Sequence, residues 1–278
     1  MRRFGKRAVA RTATIGSPTG GWNARDALSN MEATDAVQMV NWYPGTSDCI
    51  LRRGATPASW GMDDTVETLM EYASPTAGSS KFFAITANGT IYDVSTGCNN
   101  AISVPGTGAV AAATTESGLS DGRWQYVNMQ TAASTAYLLA VNGTDKLQGF
   151  DGSNWYTDGD GAHNITGVDT ATCIHINVHK FRVWMIKKNT LSAYYLGTSA
   201  IQGVATEFTL AGTARRGGYL MAMGTWTLDA GYGVDDYAVF LTSEGEAIVY
   251  AGTNPAVAAN WQLVGVWQIG PPIGRRCF

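Results

Sequence analysis

The chain has 278 residues, enough for one large β domain or two modest ones with a sizeable core. Only 15% of residues are charged, and Gly is abundant (33) while Pro is sparse (8), a balance that favours an all-β protein with many tight turns over a helical one. The net charge of −3 is too small to imply a nucleic-acid partner by itself.

Charge is unevenly placed from the start. Residues 1–25 carry Arg2, Arg3, Lys6, Arg7, Arg11 and Arg25 and no acid, leaving 13 basic and 22 acidic residues for the rest. A basic arm on an acidic body can dock on an acidic partner or touch nucleic acid; a solvated terminus has the same composition. The arm lacks the apolar stretch of a secretory signal, and no apolar run reaches the roughly 18 residues of a membrane span. The expectation is synthesis in the cytoplasm, no membrane insertion, and a life in solution or in an assembly.

Two parts follow: a docking arm over residues 1–60 and a repeated β array over 61–278. In the arm, Thr34 is placed to cap a short helix over Asp35 to Trp42, ended by Pro44, with Val37, Val40 and Trp42 packing on the array. Asp63, Asp64, Glu67 and Glu71 open the array. A glycosidase needs two carboxylates opposed across a cleft, whereas four acids in one segment read as a solvated face.

Four stretches of the array share one grammar. An apolar run enters a turn and a second, Tyr-bearing run follows. The runs are Phe82 to Ile85 before Asn88-Gly89, Tyr137 to Val141 before Asn142-Gly143, Phe181 to Ile186 before Lys188-Asn189, and Tyr237 to Leu241 before Glu244-Gly245. Asn-Gly is the strongest short hairpin signal, because both central residues of a type I′ turn need positive φ. Phe150/Gly152, Tyr195/Gly197 and Tyr250/Gly252 repeat an aromatic two residues before Gly, and Asn154-Trp155 and Asn260-Trp261 follow two of them. A period of about 50 residues suits one four-stranded propeller blade. The runs are apolar on both faces, as stacked blades require; a β-sandwich would alternate more strictly. The fold expected is therefore a β-propeller-like array of four-stranded blades with an extended N-terminal arm. Four blades lie near the lower limit of closed propellers, and Trp267 to Phe278 read like a strand leading into more structure. Either a partner chain completes the sheet, or the sequence is the front of a longer product.

No reacting constellation stands out. The histidines are His163, His175 and His179; the last two share a strand parity but lack further metal ligands. There is no GxSxG, HExxH or Walker loop. Cys49, Cys98, Cys173 and Cys277 are not paired as zinc ligands and read as reduced, mostly buried thiols. Asn88, Asn142 and Asn164 match glycosylation sequons but read as turn residues. Arg52-Arg53, Arg215-Arg216 and Arg275-Arg276 are basic pairs beside glycines, suited to acidic neighbours or to exposed turns. No catalytic residue, metal or cofactor is expected.

One resemblance adds to this reading. Gly20-Gly21-Trp22-Asn23-Ala24-Arg25-Asp26, Asp35-Ala36 through Asn41-Trp42-Tyr43-Pro44, and Leu51-Arg52-Arg53-Gly54 resemble the opening of tail proteins from short-tailed bacteriophages: the tail nozzle, tail tubular B or packaged-DNA stabilisation proteins. Ile269 to Arg276 resembles an internal stretch of the same proteins. These anchors cover about a fifth of the chain. The resemblance implies a virion protein that forms hexameric rings below the portal and adaptor, each subunit with a β-propeller around a channel that retains and later passes viral DNA without reading its sequence. Related chains are usually much longer, so channel closure is the least transferable property. On this reading the assembly candidates are Arg2, Arg3, Lys6, Arg7, Arg11, Trp22, Arg25, Asp26, Trp42, Tyr43, Arg52, Arg53, Arg275 and Arg276. The competing reading is a carbohydrate-binding or glycan-hydrolysing propeller, a phage receptor-binding protein, with a pocket of Trp and paired carboxylates.

Overall fold

The computed structural model describes residues 14–54, 59–96, 110–111, 113–161, 163–229 and 234–277. The chain divides into two compact units, residues 1–56 and 57–278.

The larger unit is all-β, a propeller-like array of four antiparallel four-stranded sheets met in chain order. Blade 1 comprises Val66–Tyr72, Lys81–Thr86, Ile91–Asp93 and Ala113–Glu116. Blade 2 comprises Gln125–Gln130, Ala136–Val141, Gln148–Phe150 and Trp155–Thr157. Cys173–His179, Arg182–Lys187, Ser192–Tyr195 and Thr206–Thr209 make blade 3. Leu220–Asp229, Val234–Thr242, Glu246–Gly252 and Trp261–Gln268 make blade 4. Each sheet is a simple meander, with each strand paired to the next strand of its blade.

The four turns singled out in the sequence all join the second and third strands of a blade. Their geometry differs from the type I′ expectation. Gly89 and Gly245 have φ of 75° and 77°, while Asn88 and Glu244 are not at positive φ. The Gly89 and Gly245 N–H groups donate back to the Thr86 and Thr242 carbonyls. Only the glycine leaves the ordinary region, as in a type I turn followed by a left-handed residue. At Asn142 the side chain itself turns the chain, its Oδ1 accepting from the Thr144 and Asp145 N–H groups. A two-residue hairpin with both central residues at positive φ does occur, at Lys180-Phe181 (48° and 59°), where nothing in the residue types announces it.

Stacking explains why the second strands are apolar on both faces. Phe83, Ile85 and Ile91 of blade 1 meet Leu138, Ala140 and Phe150 of blade 2. Leu139 and Val141, on the other face of blade 2, meet Val183 and Met185 of blade 3. Trp184 and Ile186, alternating with those, meet Ala238, Phe240 and Ile248 of blade 4. Aromatic rings densify the seams: Phe83 and Phe150 lie 5.0 Å apart edge to face, and Trp261 stacks between Trp184 (5.5 Å) and Tyr250 (5.6 Å). Each such side chain, fully buried, contributes about 1.5–3 kcal/mol.

The first strands of blades 2, 3 and 4 lie side by side, and polar side chains tie neighbouring blades. Asn128 accepts from the Ala73 N–H and donates to the Glu71 carbonyl, linking blade 2 to blade 1. Asn177 and His175 both reach the Met223 carbonyl, linking blade 3 to blade 4. Among the described residues no helix is long and apolar enough to cross a membrane.

The smaller unit corrects the helix expectation. Asp35–Ala36 pairs in parallel with Gly21–Trp22, and Trp42–Pro44 pairs antiparallel with Cys49–Leu51. The Thr34 and Ala36 carbonyls are taken by the Gly20 and Asn23 N–H groups, and Asp35 accepts from Asn23 Nδ2 at 2.7 Å. Asn41 sits at φ 61°, a left-handed residue that no α-helix continues through. Local bonding to residues 20–23 therefore wins over a helix that β-branched Val37 and Val40 support weakly. Val37, Val40 and Trp42 are exposed.

Candidate assembly surfaces

Groups suited to chemistry are absorbed into structure. His175 Nε2 lies 2.7 Å from the Met223 carbonyl and His179 Nδ1 lies 3.1 Å from Thr225 Oγ1, so both rings face blade 4. Burial depresses the affinity of both for a proton; for His179 burial is the main cause and Lys180 the next, bringing its pKa to about 4. His163 stacks on Tyr156 at 3.7 Å. Burial pushes the Cys173 thiol up to about 12, which makes it inert. Cys277 is exposed and Cys49 half-buried, so of the three described thiols only Cys173 meets the expectation of burial; Cys98 lies outside the described residues. Among the described residues no three His, Cys, Asp or Glu side chains gather as metal ligands.

The acidic quartet is dispersed. The Asp63 carboxylate accepts from Thr86 Oγ1 (2.7 Å) and Thr90 Oγ1 (3.0 Å), and these bonds, Thr86 first, hold its pKa below the usual carboxylate range. Glu67 pairs with Arg123 at 3.3 Å. Glu246, a buried acid (3% exposed) that sequence reasoning did not single out, accepts from the Arg215 N–H (3.1 Å to each oxygen) and the Arg216 N–H (3.0 Å). Its donors lie about thirty residues away, so no local pattern marks it. The Arg215-Arg216 pair thus works through its backbone.

The assembly candidates fall into three groups. Arg2, Arg3, Lys6, Arg7 and Arg11 lie outside the described residues. Trp22, Arg25, Asp26, Trp42, Tyr43, Arg52 and Arg53 lie on the smaller unit. There Arg25 pairs with Asp26 at 3.0 Å, a bond that, with Asn23, lowers the Asp26 pKa. Trp22 donates from Nε1 to the Val37 carbonyl while two thirds of its surface stays exposed. Arg52 and Arg53 are exposed. Arg275 and Arg276 are engaged within the array. Arg276 donates to the Glu67 carbonyl (2.9 Å), Thr68 Oγ1 (2.5 Å) and the Trp124 carbonyl (3.3 Å), and Arg275 donates to the Asn142 carbonyl (3.2 Å). The tail after blade 4 therefore straps across to blades 1 and 2.

Two surfaces stand out by what they leave uncovered. On the smaller unit, Trp22, Leu28, Val37, Val40, Trp42, Tyr43, Ile50 and Leu51 expose 48–71% of their surface, and no core cluster includes a residue of this unit. On the array, the far face of blade 4 carries a groove of about 540 Å³ floored by Val239, Ala247 and Val249 and rimmed by Trp226, Val264 and Trp267. The two rim indoles are half exposed or more. Sequence reasoning found the aromatics of the arm but missed this groove; its signal was the alternation Tyr237, Val239, Leu241 against Ala238 and Phe240.

No protein-family model and no curated protein matches the chain. Among solved structures it is similar to the one titled as a crystal structure of BBS1N in complex with ARL6DN, soaked with lead, at 10% identity and a TM-score of 0.42. That match covers 80% of this chain, which spans 58% of the neighbour's.

Proposed function

We propose that the protein is a structural virion protein, a subunit of a ring-shaped tail nozzle or hub of a short-tailed bacteriophage, docked below the portal and adaptor around the channel for viral DNA. The observation that carries the reading is the smaller unit: its large apolar side chains lie in solvent with no core beneath them. A segment that cannot bury its own apolar residues is built to bury them on a partner. It bears most of the residues in which the resemblance to tail proteins resides. Rigid stacked blades suit a wall whose work is steric, and its polar groups are spent on holding strands together. Outside residues 1–25 the chain is net acidic, which suits a conduit past which phosphate slides; a basic wall would hold DNA by salt-dependent attraction.

The test is location. Antibodies raised against the purified chain should label the tails of intact virions in negative stain. Absence of label from virions, or hydrolysis of a glycan by the purified chain, would overturn the proposal.

A further inference from the structure

Outside residues 1–25 the chain is net acidic, yet four of its basic residues there gather at one end of the array. Arg123, Arg275 and Arg276 line a single hollow of about 480 Å³, with Val66 of blade 1, Gln125 of blade 2 and Ile174 of blade 3 in its wall. Lys188 stands at the Asn142-Gly143 turn beside Arg275: Lys188 Nζ donates to the Gly143 carbonyl at 2.6 Å, and Arg275 donates to the Asn142 carbonyl at 3.2 Å. Two cations are thus drawn onto consecutive carbonyls of one turn.

Little on the protein neutralises this charge. Arg276 donates to two carbonyls and a hydroxyl, those of Glu67, Trp124 and Thr68. Such acceptors satisfy a donor and leave its charge intact, and like charges held this close repel. Among the described residues only Arg123 of the four pairs with a carboxylate, Glu67 at 3.3 Å. Glu67 is also the one acid in the lining of the hollow. Neighbouring acids are taken up elsewhere. Asp145 accepts from Ser120 and Asn142, Asp121 from the Arg123 N–H, and Asp169 pairs with Lys146. The tail that carries Arg275 and Arg276 is anchored at its start, where the Ile269 N–H donates to the Gly245 carbonyl, so the two guanidiniums are held ready.

We propose that this hollow is a phosphate-binding site. Three guanidiniums against one carboxylate leave it with about two positive charges, and a guanidinium is never deprotonated. A phosphate group brings up to about two negative charges and three acceptor oxygens in one compact body. Guanidinium forks match those oxygens bidentately, and Arg275 spends a single N–H on the protein. A peptide would have to thread several carboxylates into the same space. The chemistry is shared by a free phosphate anion and by the backbone of a nucleic-acid strand. The attraction is confined to this hollow, since the body around it is net acidic. The inference goes beyond the tail reading and does not rest on it.

The test is isothermal titration calorimetry of the full chain at low salt, with inorganic tripolyphosphate and with single-stranded oligothymidylate as probes. Arg123→Gln and Arg275→Gln each remove one charge and one side-chain bond, and thermal melts check that both variants stay folded. Each should weaken binding about tenfold or more. Glu67→Gln removes the opposing carboxylate and should tighten binding by about two- to fivefold. Tripolyphosphate binding that depends on both arginines supports the site and admits a free anion. Arginine-dependent binding of oligothymidylate alone supports the site and restricts it to a strand. The basic arm is controlled by changing Arg2, Arg3, Lys6, Arg7 and Arg11 together to Gln. Binding lost in that variant while the Arg123 and Arg275 variants keep wild-type affinity overturns the site. Absence of binding of both probes also overturns it, as does tighter binding of a polyglutamate peptide through the same arginines.

Discussion

Acid should loosen the seam between blades 3 and 4 through His179. The ring is 2% exposed, bonded to Thr225, edge-on to Trp261 at 5.8 Å, and faced by Lys180 and Asp236, which pair with each other at 2.8 Å. Its folded pKa, about 4, lies below the unfolded value of 6.5. The unfolded chain therefore binds the proton first. Stability is fully present above about pH 6.5 and is lost as pH falls from there towards 4. The whole shift corresponds to about 3 kcal/mol; at pH 4.5, with solvent at the blade rim screening part of the charge, roughly 2 kcal/mol remains. The carboxylates Asp63, Asp93, Asp169 and Asp236 have lowered values and stay ionised in this window. His179→Asn keeps a polar atom near Thr225 and removes the titration. Urea unfolding at pH 7.0 and pH 4.5 should show wild type losing roughly 2 kcal/mol more than the variant over that interval. Equal losses in the two proteins would refute the reasoning, because His179 would then be no more buried than it is in the unfolded chain.

Three other perturbations follow from packing. Trp184→Ala removes the indole shared by Tyr195, Phe240 and Trp261 and should cost about 3–5 kcal/mol in urea unfolding. Gly245→Ala puts a Cβ 2.1 Å from the Gly270 carbonyl carbon at φ 77°, whereas Gly159→Ala is strained at φ 100° but meets open space; thermal melts should show the first falling well below the second. Arg276→Ala deletes the bonds that strap the tail to Glu67, Thr68 and Trp124. It should lower stability by about 1–3 kcal/mol and expose residues 270–275 to limited proteolysis while blade 2 stays protected.

The blades were legible because their signal is local. An apolar run, a turn bearing Gly or Asn and a second run ending on an aromatic recur at the second and third strands, and stacking on both sides leaves the apolar runs apolar on both faces. The outer strands were not legible: Ala113–Glu116 and Thr206–Thr209 carry too few apolar residues to show a period. The helix expected after Thr34 failed because its rivals lie elsewhere in the chain. Asn23 and Gly20 compete for the same backbone groups, and only folding brings them to residues 34–36. Arg275 and Arg276 read equally well as exposed turns or as contacts to a neighbour. Their use as an internal strap depends on partners more than 130 positions away. The arm's aromatics were found because exposed Trp and Tyr in a polar, Gly-rich segment need no tertiary context to be noticed.

As a building block of a multi-subunit conduit, the chain must assemble with copies of itself. Native mass spectrometry of the purified chain reads this most directly. Six copies of the 29.5 kDa subunit in one particle, the stoichiometry the tail-protein resemblance implies, is the predicted result. A lone 29.5 kDa species at every concentration, active on or bound to a glycan, would contradict it.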